Sequence, residues 1–249
     1  MDYCKQSFDS LGWSLQRNVL PEQALLHLRN EMDAYVEMHK EKMEVFDINF
    51  TADNNINSIH CLHKYDDRFK EYFLHNYPEI QAMAERLLGE KAEVMAVEAF
   101  LKPAGTGLEV PMHQDNELFC LKNGQALTAW IALSHISKEN GGLRLYSESP
   151  SLGLLKHCDS HMKGTSRTVD ESEFARLNVD HFVVNTLKPG DIQYHHSMTV
   201  HGSDKNITKF DRNIITIQYR AISDVIDKDR QRSYRTCVTK NKANIEKGV

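Results

Sequence analysis

Two stretches of this chain carry residues that could share one metal ion. His113 and Asp115 form a His-x-Asp pair, and His201 stands far downstream in Val200-His201-Gly202-Ser203. Side chains two apart on an extended strand point to the same face, so an imidazole nitrogen and a carboxylate oxygen can reach one ion. A nitrogen from His201 would complete a face of two histidines and one carboxylate. Such a face leaves about three coordination positions open and suits Fe(II) chemistry with dioxygen. Arg212 opens the β-type run Asn213-Ile214-Ile215-Thr216-Ile217-Gln218-Tyr219-Arg220. An arginine there can pair bidentately with a carboxylate held beside the metal.

The elements that must position these residues are short strands broken by Gly and Pro turns. Strands are expected at about 94–101, 128–133, 143–146, 179–186 and 191–196. They form a mostly antiparallel sheet core from about 94 to 221 with helices on the N-terminal side. Residues 11–20 pass for a short strand with Trp13 and Leu15 on one face, and Pro21 suits the first position of a helix. Leu25, Leu28, Met32, Tyr35 and Met38 then recur at helical spacing. A second helix runs from Pro78 to Leu88 and ends at Gly89. Residues 44–75 and 150–168 read as long loops, the first able to cover the site, and 170–177 as a short helix.

As a set, several motifs resemble the phytanoyl-CoA dioxygenase family of Fe(II)/2-oxoglutarate-dependent oxygenases. They are Gly105 to Asp115, Thr128-Ala129-Trp130-Ile131-Ala132-Leu133, Glu139-Asn140-Gly141-Gly142-Leu143, Pro189-Gly190-Asp191, and His201-Gly202-Ser203 followed by Arg212. Leu11-Gly12-Trp13 and Val19-Leu20-Pro21-Glu22 are similar to the family's opening. The resemblance spans about residues 8–221 and implies a mainly β fold with flanking helices around a double-stranded β-helix, the cupin-like jelly roll. It implies Fe(II), 2-oxoglutarate and O2 as the reaction's cofactor and cosubstrates, with His113, Asp115 and His201 as metal ligands. Arg212, Ser203, Trp130 and Lys102 are the expected 2-oxoglutarate contacts. The family's spacing also selects His201 over His195 and His196 as the distal ligand. Asp115 argues for hydroxylation, because related halogenases replace that carboxylate with a small residue.

Composition bounds the rest. With 249 residues, we expect one domain over 1–249, with 222–249 as a peripheral helix or tail. A net charge of −5 and a pI near 6.2 argue against nucleic acid as the partner. No long apolar run or signal-like N-terminus is visible, so no membrane partner is expected. Five scattered cysteines without a C-x-x-C suit reduced thiols in the cytoplasm.

The expected activity is hydroxylation of a small polar metabolite, with release of succinate and CO2. Asn116 and Phe119 resemble substrate-facing positions. The loop bearing His157, His161, Lys163 and Arg167 would favour an anionic substrate, such as a phosphonate, carboxylate or amino acid. The rival reading is a non-redox metal-binding cupin, an isomerase or a small-molecule binding or sensor protein, which would have no need of Arg212.

Overall fold

The structure is a computed structural model that describes residues 3–162 and 165–246. Helix α1 (Tyr3–Leu11) leads into strand β1 (Trp13–Gln16) and helix α2 (Glu22–His39). A hairpin of β2 (Ile48–Phe50) and β3 (Ile56–Ile59) precedes helices α3 (Arg68–Asn76) and α4 (Pro78–Leu88). Then come β4 (Ala92–Lys102), β5 (Val110–His113), the short helix α5 (Asp115–Phe119), β6 (Ala126–Ala132) and β7 (Leu143–Tyr146). Next are β8 (His157–Met162), β9 (Thr165–Val169), α6 (Glu171–Phe174), β10 (Phe182–Val184) and β11 (Ile192–His196). The chain continues through β12 (His201–Ser203), β13 (Arg212–Ala221) and α7 (Lys228–Glu246).

Eleven of these strands form two facing antiparallel sheets, and β8 and β9 pair with each other as a separate hairpin. The larger runs β1-β11-β6-β13-β4-β3-β2 and the smaller β10-β7-β12-β5. The larger sheet buries both faces, and the period of two assigns them. Leu127, Ala129 and Ile131 of β6, with Ile215, Ile217 and Tyr219 of β13, pack on Leu25, Leu28, Ile80 and Leu87 of α2 and α4. Burying side chains of this size contributes about 1.5–3 kcal/mol each. The alternate residues, including Thr128, Trp130, Ile214, Thr216 and Gln218, face the smaller sheet. β6 is accordingly buried along its whole length. This is a double-stranded β-helix with helices flanking one face.

Several expectations need correction. Pro21 is extended and caps α2 from outside, and Met38 at the end of that helix is exposed, so it is not part of the core stripe. Residues 44–75 contain the β2–β3 hairpin and α3, and the hairpin extends the larger sheet through β3–β4 pairing. The loop expected at 150–168 contains the β8–β9 hairpin. The strand expected at 179–186 begins only at Phe182, after a 3-10 turn over Val179–His181. Helix α1, with Phe8 as its buried residue, was not anticipated. Among the described residues no helix is long and apolar enough to cross a membrane.

Candidate metal centre

His113 ends β5, and Asp115 is not on that strand but opens α5. Gln114 between them is extended, so the two side chains still share a side. Gln114 turns away and donates to the carbonyls of Gly153 and Met198. β12 lies beside β5 with His201 opposite His113. The ligand atoms of His113, Asp115 and His201 lie within 4.8 Å of one another. Asp115 Oδ1 stands 3.6 Å from His113 Nε2 and 3.5 Å from His201 Nε2.

The two imidazoles are oriented by the same device. Each Nδ1 lies 2.9 Å from the carbonyl two residues earlier, Pro111 for His113 and Thr199 for His201. A proton on Nδ1 can therefore be donated to the backbone, leaving the Nε2 lone pair for a metal. Burial, with His195 and His113 beside it, holds His201 well below its usual pKa. Burial works against an ionised Asp115, but the His201, His113 and His195 imidazoles around it outweigh that and hold the carboxyl well below its usual range. A neutral imidazole and an ionised carboxylate are the forms a metal takes. Two nitrogens and one oxygen on one side of a buried point fit Fe(II) with open positions.

His195 is not one of the three. Its Nε2 meets the other carboxylate oxygen, Asp115 Oδ2, at 3.2 Å. His196 points to the opposite side and packs against Phe8. Gly202 sits where β12 crosses β5: a Cβ there would stand 2.7 Å from both Met112 Sδ and the Val110 carbonyl.

A cavity of about 760 Å³ opens over the three ligands, bounded by both sheets and by α7. Arg212, Trp130, Ser203 and Phe119 line it. Arg212 is 1 % exposed, its Nε has no partner among the described residues, and Nη1 reaches only the Phe100 carbonyl at 3.4 Å. Its guanidinium lies over the Trp130 ring at 5.4 Å, and burial pulls its pKa down to about 9. A buried guanidinium with unspent donors fits an incoming carboxylate.

Lys102 is placed differently from expectation. It is fully buried, is not part of the cavity lining, and donates to Ser203 Oγ at 2.6 Å and to the Asp204 carbonyl at 2.5 Å. It therefore positions Ser203 from behind. Gly141 allows this approach, since a Cβ there would come within 3.0 Å of Lys102 Nζ.

Three expected substrate residues are occupied elsewhere and do not line the cavity. Asn116 is fully buried and bonds both the amide and the carbonyl of Leu121. Both His157 nitrogens face backbone, at the Gln114 amide and the Leu155 carbonyl, and burial lowers its pKa to about 4. Arg167 is paired with Glu117 at 3.0 Å and Asp159 at 2.7 Å. The side chain of His161, and Lys163 altogether, lie outside the described residues. Conversely, the cavity recruits Glu98, Thr216, Gln218, His60 and Tyr234, which belong to none of the quoted motifs, and Thr128, which opens one but was given no role. For Thr128 the signal was present, two residues before Trp130 on one strand.

A double-stranded β-helix with a two-histidine, one-carboxylate face and a buried arginine beside it defines the architecture of an iron-dependent oxygenase. The chain belongs to the phytanoyl-CoA dioxygenase family, whose model matches residues 8–214. It is 27% identical over 169 residues to phytanoyl-CoA dioxygenase 1 of Oryza sativa subsp. japonica, covering 66% of this chain and 57% of that protein. It is 23% identical over 229 residues to the peroxisomal phytanoyl-CoA dioxygenase of Homo sapiens, covering 86% and 67%. The chain thus spans less than two thirds of the rice relative. Among solved structures, EctD from S. alaskensis with 2-oxoglutarate and 5-hydroxyectoine matches with a TM-score of 0.74 at 22% identity, covering 91% and 78%. That likeness is one of fold.

Proposed function

We propose that the protein is an Fe(II)- and 2-oxoglutarate-dependent oxygenase that hydroxylates a small polar metabolite. Arg212 carries the reading: a guanidinium 1 % exposed, without a carboxylate partner among the described residues, beside three metal-ready side chains. A non-redox cupin would have no use for it. Bound iron would supply dioxygen activation coupled to decarboxylation of 2-oxoglutarate to succinate and CO2. One oxygen atom of O2 would enter succinate and the other the substrate hydroxyl.

The residues of this chain bind, orient and exclude water. His113, Asp115 and His201 would hold the metal. Arg212 would take the distal carboxylate of 2-oxoglutarate, with Ser203 as a second donor and Trp130 as a wall. The fold of the S. alaskensis enzyme, crystallised with 2-oxoglutarate, supports this arrangement.

Of the loop residues that suggested an anionic substrate, the two whose side chains are described do not support it, because His157 is held neutral by burial and Arg167 is neutralised by two carboxylates. A cavity of about 760 Å³ suits a small molecule. We propose the cytoplasm as its compartment, since no disulfide joins its five cysteines.

The deciding measurement is succinate formation from 2-oxoglutarate with Fe(II) and air, for wild type and His201→Ala. Turnover in wild type that disappears in the variant supports the reading. Metal binding without any succinate, and without a charge-transfer band on anaerobic addition of 2-oxoglutarate, would move the assignment to a non-redox cupin.

A further inference from the structure

The cavity has a second polar wall that the metal and the cosubstrate do not use. Glu98 of β4 stands opposite Thr216 of β13, and Gln218 is the next residue of β13 on the same face. All three line the cavity, together with His60 and Asn49 from the β2–β3 side. Glu98 Oε1 meets His60 Nδ1 at 3.1 Å, and Gln218 Nε2 donates to Glu98 Oε2 at 3.1 Å. A hydrogen-bonded relay continues behind them, from His60 Nε2 to Ser58 Oγ at 3.3 Å and on to Asn49 Nδ2 at 3.2 Å.

The chemistry of this wall is chiefly that of acceptors; its one histidine, His60, which burial pushes down but Glu98 pushes up further, is committed through Nδ1 to Glu98. A carboxylate offers about four lone-pair sites, and two of Glu98's are spent. The Glu98 side chain keeps 15% of its surface exposed. Gln218 has committed one amide N–H to Glu98, which leaves its carbonyl oxygen as an acceptor and a second N–H. Thr216 is 2 % exposed, and its hydroxyl has no partner among the described residues. A buried hydroxyl without a partner is unfavourable unless something satisfies it. Apart from Arg212, the described lining residues include no lysine or arginine. Phe46, Phe100, Phe119 and Tyr234 supply aromatic surface around the same space.

Position separates Glu98, the far end of this wall, from the chemistry, while Thr216 and Gln218 connect it to Trp130 and Thr128, their partners on β6. The strand order puts Thr128, which bonds Asp115, on β6, with β13 between it and β4. Two strand spacings correspond to about 10 Å. Arg212 lies four residues along β13 from Thr216, or about 13 Å. A group held at Glu98 is thus clear of the cosubstrate's arginine, and the remainder of a small molecule can reach the metal.

We propose that Glu98, with Gln218 and Thr216, is the specificity subsite for the substrate, receiving an N–H or O–H donor (an ammonium or a hydroxyl) and rejecting anions. This deepens the oxygenase reading, on which it rests for the identity of the cavity. The subsite makes the substrate a hydrogen-bond donor at one end with its reacting carbon at the other. An anionic group placed there would face the Glu98 carboxylate at close range, which disfavours it.

The test uses the full chain with Fe(II) and 2-oxoglutarate under nitrogen, so that binding is read without turnover. The probes are cyclohexylamine, cyclohexanol and cyclohexanecarboxylate at neutral pH, titrated by ligand-observed NMR. The amine or the alcohol is expected to bind at least about tenfold more tightly than the carboxylate. If the natural group is an ammonium, the amine leads and Glu98→Gln removes its advantage. If it is a hydroxyl, the alcohol leads and Glu98→Ala with Thr216→Val weakens it. A carboxylate that binds as well as either donor overturns the proposal. So does a donor preference that survives Glu98→Gln and Glu98→Ala, or no binding of amine or alcohol at millimolar concentration. Circular dichroism and melting confirm that each variant is folded. The anaerobic charge-transfer band reports the oxygenase reading separately, so its absence does not decide the donor preference.

Discussion

Thr128 Oγ1 donates a 2.6 Å hydrogen bond to Asp115 Oδ2, the carboxylate oxygen turned away from His113 and His201. His195 Nε2 meets the same oxygen. The carboxylate is therefore clamped on one oxygen, and the other is left beside the two imidazoles. Outer partners of this kind typically matter to metal affinity by about 10- to 100-fold. Thr128→Val, which keeps the shape and removes the donor, is expected to weaken Fe(II) binding by that order while the fold persists. Anaerobic calorimetry with Fe(II) checks it, and an unchanged affinity would show that His195 alone suffices.

Arg212 gives a second expectation: the cosubstrate proposed for it is a dianion, and a planar fork that pairs with a carboxylate cannot be replaced by an ammonium. Arg212→Lys should raise the Michaelis constant for 2-oxoglutarate by about 10- to 100-fold, equivalent to the loss of about one charged hydrogen bond. Arg212→Met should raise it further, yet melt at a higher temperature in the absence of 2-oxoglutarate because the buried charge is gone. Melting and succinate kinetics on the same preparations separate the two effects. A Lys variant with wild-type kinetics would remove Arg212 from the cosubstrate's site.

How much of this was legible follows from where polarity and position agree. The His113, Asp115 and His201 cluster was readable because its spacing repeats a motif, helix α2 because apolar residues recur at helical steps, and α4 because Pro78 opens it and Gly89 ends it. The β8–β9 hairpin was not, since Asp159, Ser160, Ser166 and Thr168 give it no apolar alternation. Glu98, Thr216 and Gln218 stayed hidden for a related reason. Alternating polar residues on a strand read as a solvated face, and here that face encloses a cavity. Asn116 was drawn in by standing next to Asp115, although its amide closes a loop onto Leu121. Charge in sequence also misled: Arg167 counts as a cation until Glu117 and Asp159 are seen around it.

Of the two forms expected for the C-terminal segment, a peripheral helix or a tail, the structure has the helix, and it also walls the cavity. Tyr234 and Val238 of α7 line it, and Tyr234 OH lies 2.9 Å from Ser166 Oγ. Arg230 fastens the helix to α5 and its following turn by donating to the carbonyls of Asn116 at 2.7 Å and Leu121 at 3.2 Å. Arg230→Ala should loosen that attachment by about 1 kcal/mol, since the guanidinium is partly exposed. Faster amide exchange in 228–246, with exchange in β6 and β13 unchanged, is the expected result. Uniform loss of protection would mean instead that α7 stabilises the whole fold.

Lys102 predicts a pH dependence whose sign can be worked out. Burial first, and then the positive charge of Arg212, pull its pKa from 10.5 down to about 6. The unfolded chain holds that proton up to about pH 10.4, whereas the folded chain releases it from about 6 upward. Between those values the unfolded state binds more protons, so this residue makes stability rise with pH across the interval. Below pH 6 its penalty is at its fullest, because both states are protonated and one of them buries the charge. Lys102→Met removes the term, so the variant's advantage over wild type should be largest near pH 6 and shrink toward pH 9. A dianion bound beside Arg212 would oppose the same penalty by favouring the protonated lysine, so 2-oxoglutarate should bind wild type more tightly at pH 6 than at pH 8. Urea denaturation of both proteins across that range, with and without 2-oxoglutarate, measures each arm. Parallel stability curves for wild type and Lys102→Met would mean that Lys102 remains charged in the folded protein, with Ser203 and Asp204 compensating its burial.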